Sequence, residues 1–325
     1  MLLSIAVGTV VAGLSLAKAE RRLNPVVEVL AQGKPVFGLY APRNGRGRGA
    51  PPAEAATPKS AADLAKEGMT NTTADFLFDG SMEDQFDRAF PPFVDFMKGM
   101  AAAGMVERSP SMRLHHPMIV KTHLIAPDPA LARERIGRQL NEGVAGIMFV
   151  GVESADEVKA GLGAMRFKSR GGTRSDDVGN APAYWAMSPA EYREKADVWP
   201  LNPKGELVNF TVVEGKEGLK HVREIAAVKG IGVLFPGAGT LRGVFTDTAG
   251  GQRKFDADGW EAAIQQVLAA CKEFNVPCGY PANANDIETR MKQGFSVFVS
   301  NWGDQGFKAV DIGRQVGGRT EGDNR

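Results

Sequence analysis

Eight short apolar runs, separated by amphipathic or turn-rich stretches, constrain this chain more than any other feature. They are Val36–Tyr40, Asp75–Asp79, Met118–Leu124, Gly146–Val152, Leu207–Glu214, Gly232–Pro236, Val276–Tyr280 and Phe295–Asn301. Strands buried on both faces read as near-continuous hydrophobic runs, because helices cover one side and a packed core fills the other. Gly146-Ile147-Met148-Phe149-Val150 is such a run. Strands that alternate with helices indicate βαβ units and a parallel sheet. Eight units predict a closed (β/α)8 TIM barrel, and 325 residues accommodate one barrel of about 250 residues plus insertions.

The intervening stretches carry helix signals. Asp128 precedes Pro129, an N-cap followed by proline at the first helical position. The segment then places apolar residues at 131, 132, 136 and 140 and stops near Gly143. Ser154 and Glu157 have capping-box spacing. Trp260 to Phe274 forms one apolar stripe through 260, 263, 264, 267, 268 and 271.

Composition excludes several classes. A hydrophobic fraction of 43% is too high for a disordered chain. With 39 Lys+Arg against 38 Asp+Glu, no basic excess marks a nucleic-acid footprint, so no nucleic-acid partner is expected. Two cysteines, Cys271 and Cys278, have no zinc-ligand spacing and predict two free thiols.

The first residues form a separate unit, 1–19, ahead of a single barrel domain over 20–325. Leu2 to Ala17 carry no charge, and Ala17-Lys18-Ala19 resembles a small-x-small cleavage site. Sixteen apolar residues fall short of the ~20 needed to span a bilayer. Three readings stay open: a signal peptide lacking its basic n-region, an uncleaved anchor edged by Lys18, Arg21 and Arg22, or a buried helix. The first two place the barrel in an exported (periplasmic) or membrane-associated setting.

Two stretches break the rhythm. Arg43 to Ser60 is rich in Gly, Pro and Ala and reads as an exposed loop after the first strand. Phe167 to Lys204 is longer, with Tyr184, Trp185 and Trp199, and is expected over the C-terminal mouth of the barrel, where such folds build their sites. Its aromatics then serve as lid, subunit contact or plain packing.

Two ordered segments carry a resemblance. The first runs from Leu124-Ile125-Ala126-Pro127-Asp128-Pro129-Ala130-Leu131 into Gln139-Leu140-Asn141-Glu142-Gly143-Val144-Ala145-Gly146. The second starts at Val212-Val213-Glu214-Gly215-Lys216 and reaches Leu234-Phe235-Pro236-Gly237-Ala238-Gly239-Thr240-Leu241. Together they resemble the HpcH/HpaI aldolase and citrate lyase family, the class II pyruvate aldolases. The resemblance implies an oligomeric phosphoenolpyruvate/pyruvate-type barrel acting as a carbon–carbon lyase on a small 2-oxo acid. A divalent cation, Mg²⁺ or Mn²⁺ with Co²⁺ or Zn²⁺ as substitutes, stabilises the enolate in such enzymes.

Residue by residue the implied site is altered. The family's glutamate ligand matches Glu214. Its aspartate ligand falls on Thr240, and its enolate-stabilising arginine falls on Lys121, which keeps the charge but not the bidentate fork. The strand-two Asp-x-Glu-His becomes Asp79-Gly80-Ser81-Met82, so the proton-transfer histidine is absent. His123, two residues past Lys121 and of the same parity, is a substitute for it, or else a hydrogen-bonded structural residue. Asp79 is either a second metal ligand or a turn cap onto Ser81 or Met82. Glu214 either binds the metal or pairs with Lys121. Backbone amides around Gly237, Gly239 and Thr240 are candidates to hold the substrate carboxylate. His115 and His116 are expected to face solvent. These departures admit a second class of reading with no cofactor: a non-catalytic aldolase-like binder, or a structural subunit of a larger, membrane-associated assembly.

Overall fold

The computed structural model describes residues 21–44, 57–248 and 253–320. Each apolar run holds a strand: β1 (Val36–Tyr40), β2 (Phe76–Asp79), β3 (Met118–Lys121), β4 (Gly146–Phe149), β5 (Leu207–Val213), β6 (Val233–Pro236), β7 (Gly279–Tyr280) and β8 (Val297–Ser300). All neighbours pair in parallel, in the order β7-β8-β1-β2-β3-β4-β5-β6. A parallel bridge between Leu234 and Cys278 joins β6 to the start of β7 and closes the ring. The result is the expected α/β TIM-type barrel. Several strands are shorter than the apolar runs that contain them, because runs such as Val150–Val152 and Thr122–Leu124 leave the ladder at the mouth.

Strand parity sorts the core into two shells. Inward-facing Phe76, Phe78, Ile119, Met148, Val208, Phe210, Val212, Val233, Phe235, Val297 and Val299 form one buried cluster inside the barrel. The opposite faces, with Leu39, Leu77, Val120, Ile147, Phe149 and Leu234, pack against the helices. The interior rings interlock: Phe76 meets Phe210 edge-on at 5.7 Å, and Phe210 stacks on Phe235 at 5.4 Å. That filling requires glycine on β1, beside Phe76, and on β7, beside Phe235. A Cβ on Gly38 would lie 2.2 Å from the Phe76 ring, and one on Gly279 would lie 2.1 Å from the Phe235 ring. The helix Pro25–Ala31, started by the Asn24 cap onto Val26 N–H at 3.0 Å, adds Val26, Val27, Val29 and Leu30 to the same cluster.

Helix starts follow the sequence signals. Asp128 caps Pro129–Asn141 through the amides of Ala130 and Leu131, and Ser154 accepts from Glu157 N–H at the start of Ala155–Met165. The helix Ala257–Phe274 begins earlier than its apolar stripe, with Asp256 as its cap.

Three expectations are corrected. The excursion 167–204 does not cover the mouth. It follows a helix, Ala155–Met165, rather than a strand, so the chain has already returned to the N-terminal end of the barrel. There Val198 and Trp199 pair with Leu207 and Val208 at the beginning of β5. Trp185 is fully buried and donates to Gly143 O at 2.8 Å, while Tyr192 donates to Leu140 O at 3.0 Å.

The cysteines are not free: Cys271 and Cys278 form a disulfide, with Cα atoms 5.6 Å apart. Asn275 in the left-handed conformation ends the helix, and Val276 N–H returns to Cys271 O, which folds Cys278 back against the helix end.

His116 is buried, with 3% exposure, whereas His115 is exposed. The leader 1–19 lies outside the described residues, as does most of the loop after β1. Among the described residues no helix is long and apolar enough to cross a membrane.

Candidate active site at the barrel mouth

Parity also decides which polar groups reach the mouth. Tyr40, Lys121 and Glu214 continue the inward series of β1, β3 and β5, one position beyond the last apolar layer of each strand. Lys121 Nζ lies 2.7 Å from Glu83 Oε2, an ion pair with side chains 19% and 28% exposed. Burial alone would lower the Lys121 ammonium, but its bond to Glu83, helped by the fields of Tyr40 and Glu214, carries it above its ordinary value. Lys121 is therefore a held cation. Tyr40 packs edge-on against Phe78 at 5.0 Å; burial pushes its hydroxyl upward, with Lys121 opposing and Glu83 adding to the rise. Gly80 sits beside both, its missing Cβ 3.4 Å from Lys121 Cδ and 3.6 Å from a Tyr40 ring carbon.

Glu214 is 9% exposed, and its Oε1 accepts the Gly151 amide at 2.8 Å. A Cβ at Gly237 would lie 2.6 Å from Glu214 Oε2, so this glycine is required by the carboxylate that lies across it. Gly239 and Thr240 are both exposed, in the first turn of the helix Ala238–Val244. A Cβ on Gly239 would meet nothing within 4 Å, so no close approach explains that residue.

Asp79 and His123 are placed differently. Asp79 has the outward parity of Leu77, and its Oδ1 accepts Ser81 N–H at 2.7 Å, which is the turn-cap geometry. Burial raises its carboxyl above the usual range, against the lowering pull of that cap and of Arg43. His123 Nδ1 lies 2.8 Å from the carbonyl oxygen of Glu83, so that nitrogen is the donor and Nε2 remains the basic atom. Gln139 fixes the backbone between them by donating to Lys121 O at 2.8 Å.

The structure thus gathers Lys121, His123 and Glu214 with Tyr40, Arg43 and Glu83 around one mouth. Asp79 stands at its edge, and Gly239 with Thr240 stands outside the inward series. Glu83 was not singled out from sequence. It lies one residue beyond the Asp79–Met82 segment, and the available signal was an acidic side chain in the strand-two turn beside a strand-three lysine. Among the described residues no three of His, Cys, Asp and Glu come together as a metal cage.

No protein-family model matches this sequence, and no curated protein matches it. Solved structures do. A HpcH/HpaI aldolase/citrate lyase family protein from Burkholderia cenocepacia J2315 superposes with a TM-score of 0.62 at 21% identity, over 86% of this chain and 92% of the other. The HpcH/HpaI aldolase from Desulfitobacterium hafniense DCB-2 gives 0.59 at 16% identity, over 84% and 88%. Macrophomate synthase gives 0.56 at 18% identity, over 90% and 86%. At these identities the likeness speaks for architecture: this chain is a (β/α)8 barrel with the fold of the HpcH/HpaI aldolase and citrate lyase structures.

Proposed function

We propose that this barrel is a carbon–carbon lyase of the aldolase type, acting on a small 2-oxo acid through an enolate. The observation that carries the reading is Lys121: an ammonium held charged at the mouth, facing the field of Glu214. A charge fixed before reaction stabilises an enolate oxygen without reorganisation. Arg43, from the loop after β1, adds positive field near Tyr40 and Asp79 and suits the substrate carboxylate.

The residues fit a divalent cation held partly by substrate. Mg²⁺ is commonly bound by one or two carboxylates with substrate oxygens and water, so a three-residue cage is not required. Glu214 offers Oε2, since Oε1 is taken by Gly151. A cation there would polarise the keto and carboxylate oxygens of the acid. Asp79, with Oδ1 taken by the Ser81 amide and its carboxyl raised by burial, is the weaker second ligand. Export is supported by the Cys271–Cys278 disulfide, since such bonds persist in oxidising compartments; a homo-oligomer or membrane tether belongs to the same proposal.

A second reading, a non-catalytic binder of 2-oxo acids, is favoured by the exposed Thr240 in place of a carboxylate. Exchange of pyruvate methyl protons in D₂O with Mg²⁺, followed by NMR, separates the two. A lyase exchanges them; a binder only binds. Lys121→Met is expected to slow exchange by about 10²–10³-fold. Wild-type protein that binds pyruvate without exchanging its protons would leave the binder.

The cation is tested separately. Glu214→Gln is expected to abolish the heat of Mn²⁺ binding in calorimetry while unfolding stays cooperative. Retained Mn²⁺ binding by this variant would move the cation elsewhere.

A further inference from the structure

We propose that Glu83 is the proton-transfer residue of this site, its carboxylate beside Lys121 moving a proton to and from the carbon next to the oxo group. The inference rests on the lyase reading and assigns a step which that reading leaves without an agent.

The geometry selects Glu83 over its neighbours. Its Oε2 is 2.7 Å from Lys121 Nζ, so a base and the cation that stabilises the enolate stand side by side. Oε1 makes no hydrogen bond among the described residues, and the side chain is 28% exposed, so it is open to a ligand in the mouth. The position is fixed at both ends: the carboxylate by Lys121, and the backbone by the His123 ring on Glu83 O at 2.8 Å. Met82, next in the turn, is fully buried and receives Gln139 Nε2 at 3.6 Å, which anchors the same loop.

The other groups are engaged elsewhere. Asp79 Oδ1 caps the Ser81 amide and its parity is outward. Glu214 Oε1 holds the Gly151 amide, and its second oxygen is the one offered to a cation. His123 spends Nδ1 on the turn, and its Nε2, although basic, is not paired with Lys121 as the Glu83 carboxylate is. Tyr40 is half-buried and, with its hydroxyl pushed upward, is a poor base at neutral pH.

The step balances within the site. The C3–H bond of the oxo acid breaks and Glu83 takes the proton. The bonding pair forms C2=C3, and the carbonyl pair moves onto oxygen, where the new negative charge faces Lys121. In cleavage of a longer substrate Glu83 first takes the proton of the C4 hydroxyl as C4=O forms and the C3–C4 bond breaks. That bonding pair becomes C2=C3, the carbonyl pair moves onto oxygen, and after the carbonyl product leaves Glu83 returns the same proton to C3. No oxidant or second reactant enters.

The test uses pyruvate, Mg²⁺ and full-length protein. Glu83→Gln should slow methyl-proton exchange at least ~100-fold, as loss of a general base does. Pyruvate affinity, measured by saturation-transfer NMR, should change by no more than about threefold, since the amide keeps the shape and a contact to Lys121. Glu83→Asp, one methylene shorter with the same chemistry, should recover part of the rate. Exchange at the wild-type rate in Glu83→Gln would overturn the assignment, as would pyruvate binding lost in proportion to exchange. Wild-type protein that binds pyruvate but exchanges nothing overturns the assignment together with the lyase step. Wild-type protein that neither binds nor exchanges overturns the 2-oxo acid reading as well. Normal exchange by the wild type and by Glu83→Gln removes only Glu83.

Discussion

Asp75→Ala is expected to lower the unfolding free energy by about 3–5 kcal/mol, the range for removing one partner of a buried ion pair. The Asp75 side chain has no exposure, and Arg319 grips both of its oxygens, at 2.6 and 2.8 Å, with a side chain 1% exposed. Asp75 Oδ2 also accepts Phe37 N–H at 2.8 Å, and Arg319 donates to Pro35 O at 2.8 Å. One carboxylate therefore ties the entry of β1, the entry of β2 and the segment after the last helix, Asp304–Val316. Arg314 of that helix stands 3.8 Å from Asp75 Oδ1 and donates to Thr73 O at 3.0 Å. Alanine removes the buried carboxylate that both guanidinium groups face, and loss of that pairing dominates the effect. The same loss should appear as a fall in Tm of roughly 10 °C for a domain of this size. Urea unfolding followed by circular dichroism measures it; a change below about 1 kcal/mol would show that water reaches the network and screens it.

That network marks where the sequence stops being readable. Asp75 and Arg319 are 244 residues apart, and nothing local announces that an aspartate at the head of an apolar run will meet an arginine near the end of the chain. The strands are legible for the opposite reason. Their signal is local and strong: a run buried on both faces must be apolar throughout, and all eight runs contain a strand of the ring. Helix starts at Asp128 and Ser154 are legible because a cap and the amides that it satisfies lie within three residues.

The candidate site was legible in part. Glu214 and Lys121 were singled out through the family resemblance, which places them at strand ends, and both reach the mouth. Glu83 could not be weighed, since its value depends on a contact made 38 residues away, across two strands. Gly237 was read as room for a ligand, yet the Glu214 side chain, through its Cβ and Oε2, fills the space. The excursion after Met165 was misplaced by a topological slip: insertions after strands extend the mouth, while insertions after helices extend the opposite end. The cysteine expectation failed because a spacing of seven says nothing about a left-handed turn at Asn275 that doubles the chain back.

His116 illustrates how a misread exposure changes the pH behaviour of the whole fold. Expected at the surface, it is 3% exposed, adopts φ 56°, and has no well-formed hydrogen bond at either ring nitrogen, only a weak contact with the Asn71 backbone. Burial first, then the neighbouring His115, pushes its pKa from 6.5 down to about 3, with the Asn71 backbone pulling weakly the other way. Above pH 6.5 the ring is neutral folded and unfolded, so it contributes no pH dependence. As pH falls from 6.5 towards 3 the unfolded chain binds a proton that the folded chain does not, and stability must fall with it. Below about pH 3 both forms are charged and the loss levels off. At 1.36 kcal/mol per pH unit the full span amounts to about 4–5 kcal/mol, enough to consume a large part of a typical folding free energy. His116→Asn removes the titration and keeps a residue type that tolerates positive φ. Unfolding free energies of the two proteins, measured from pH 7.5 to pH 4, should therefore diverge. The wild type should lose about 3 kcal/mol more than the variant between pH 6.5 and pH 4, because 2.5 of those pH units lie inside the window. Parallel curves over that range would mean that His116 takes up its proton in the folded state and that the cavity around it, lined by Arg113, Glu107 and Thr72, is wet.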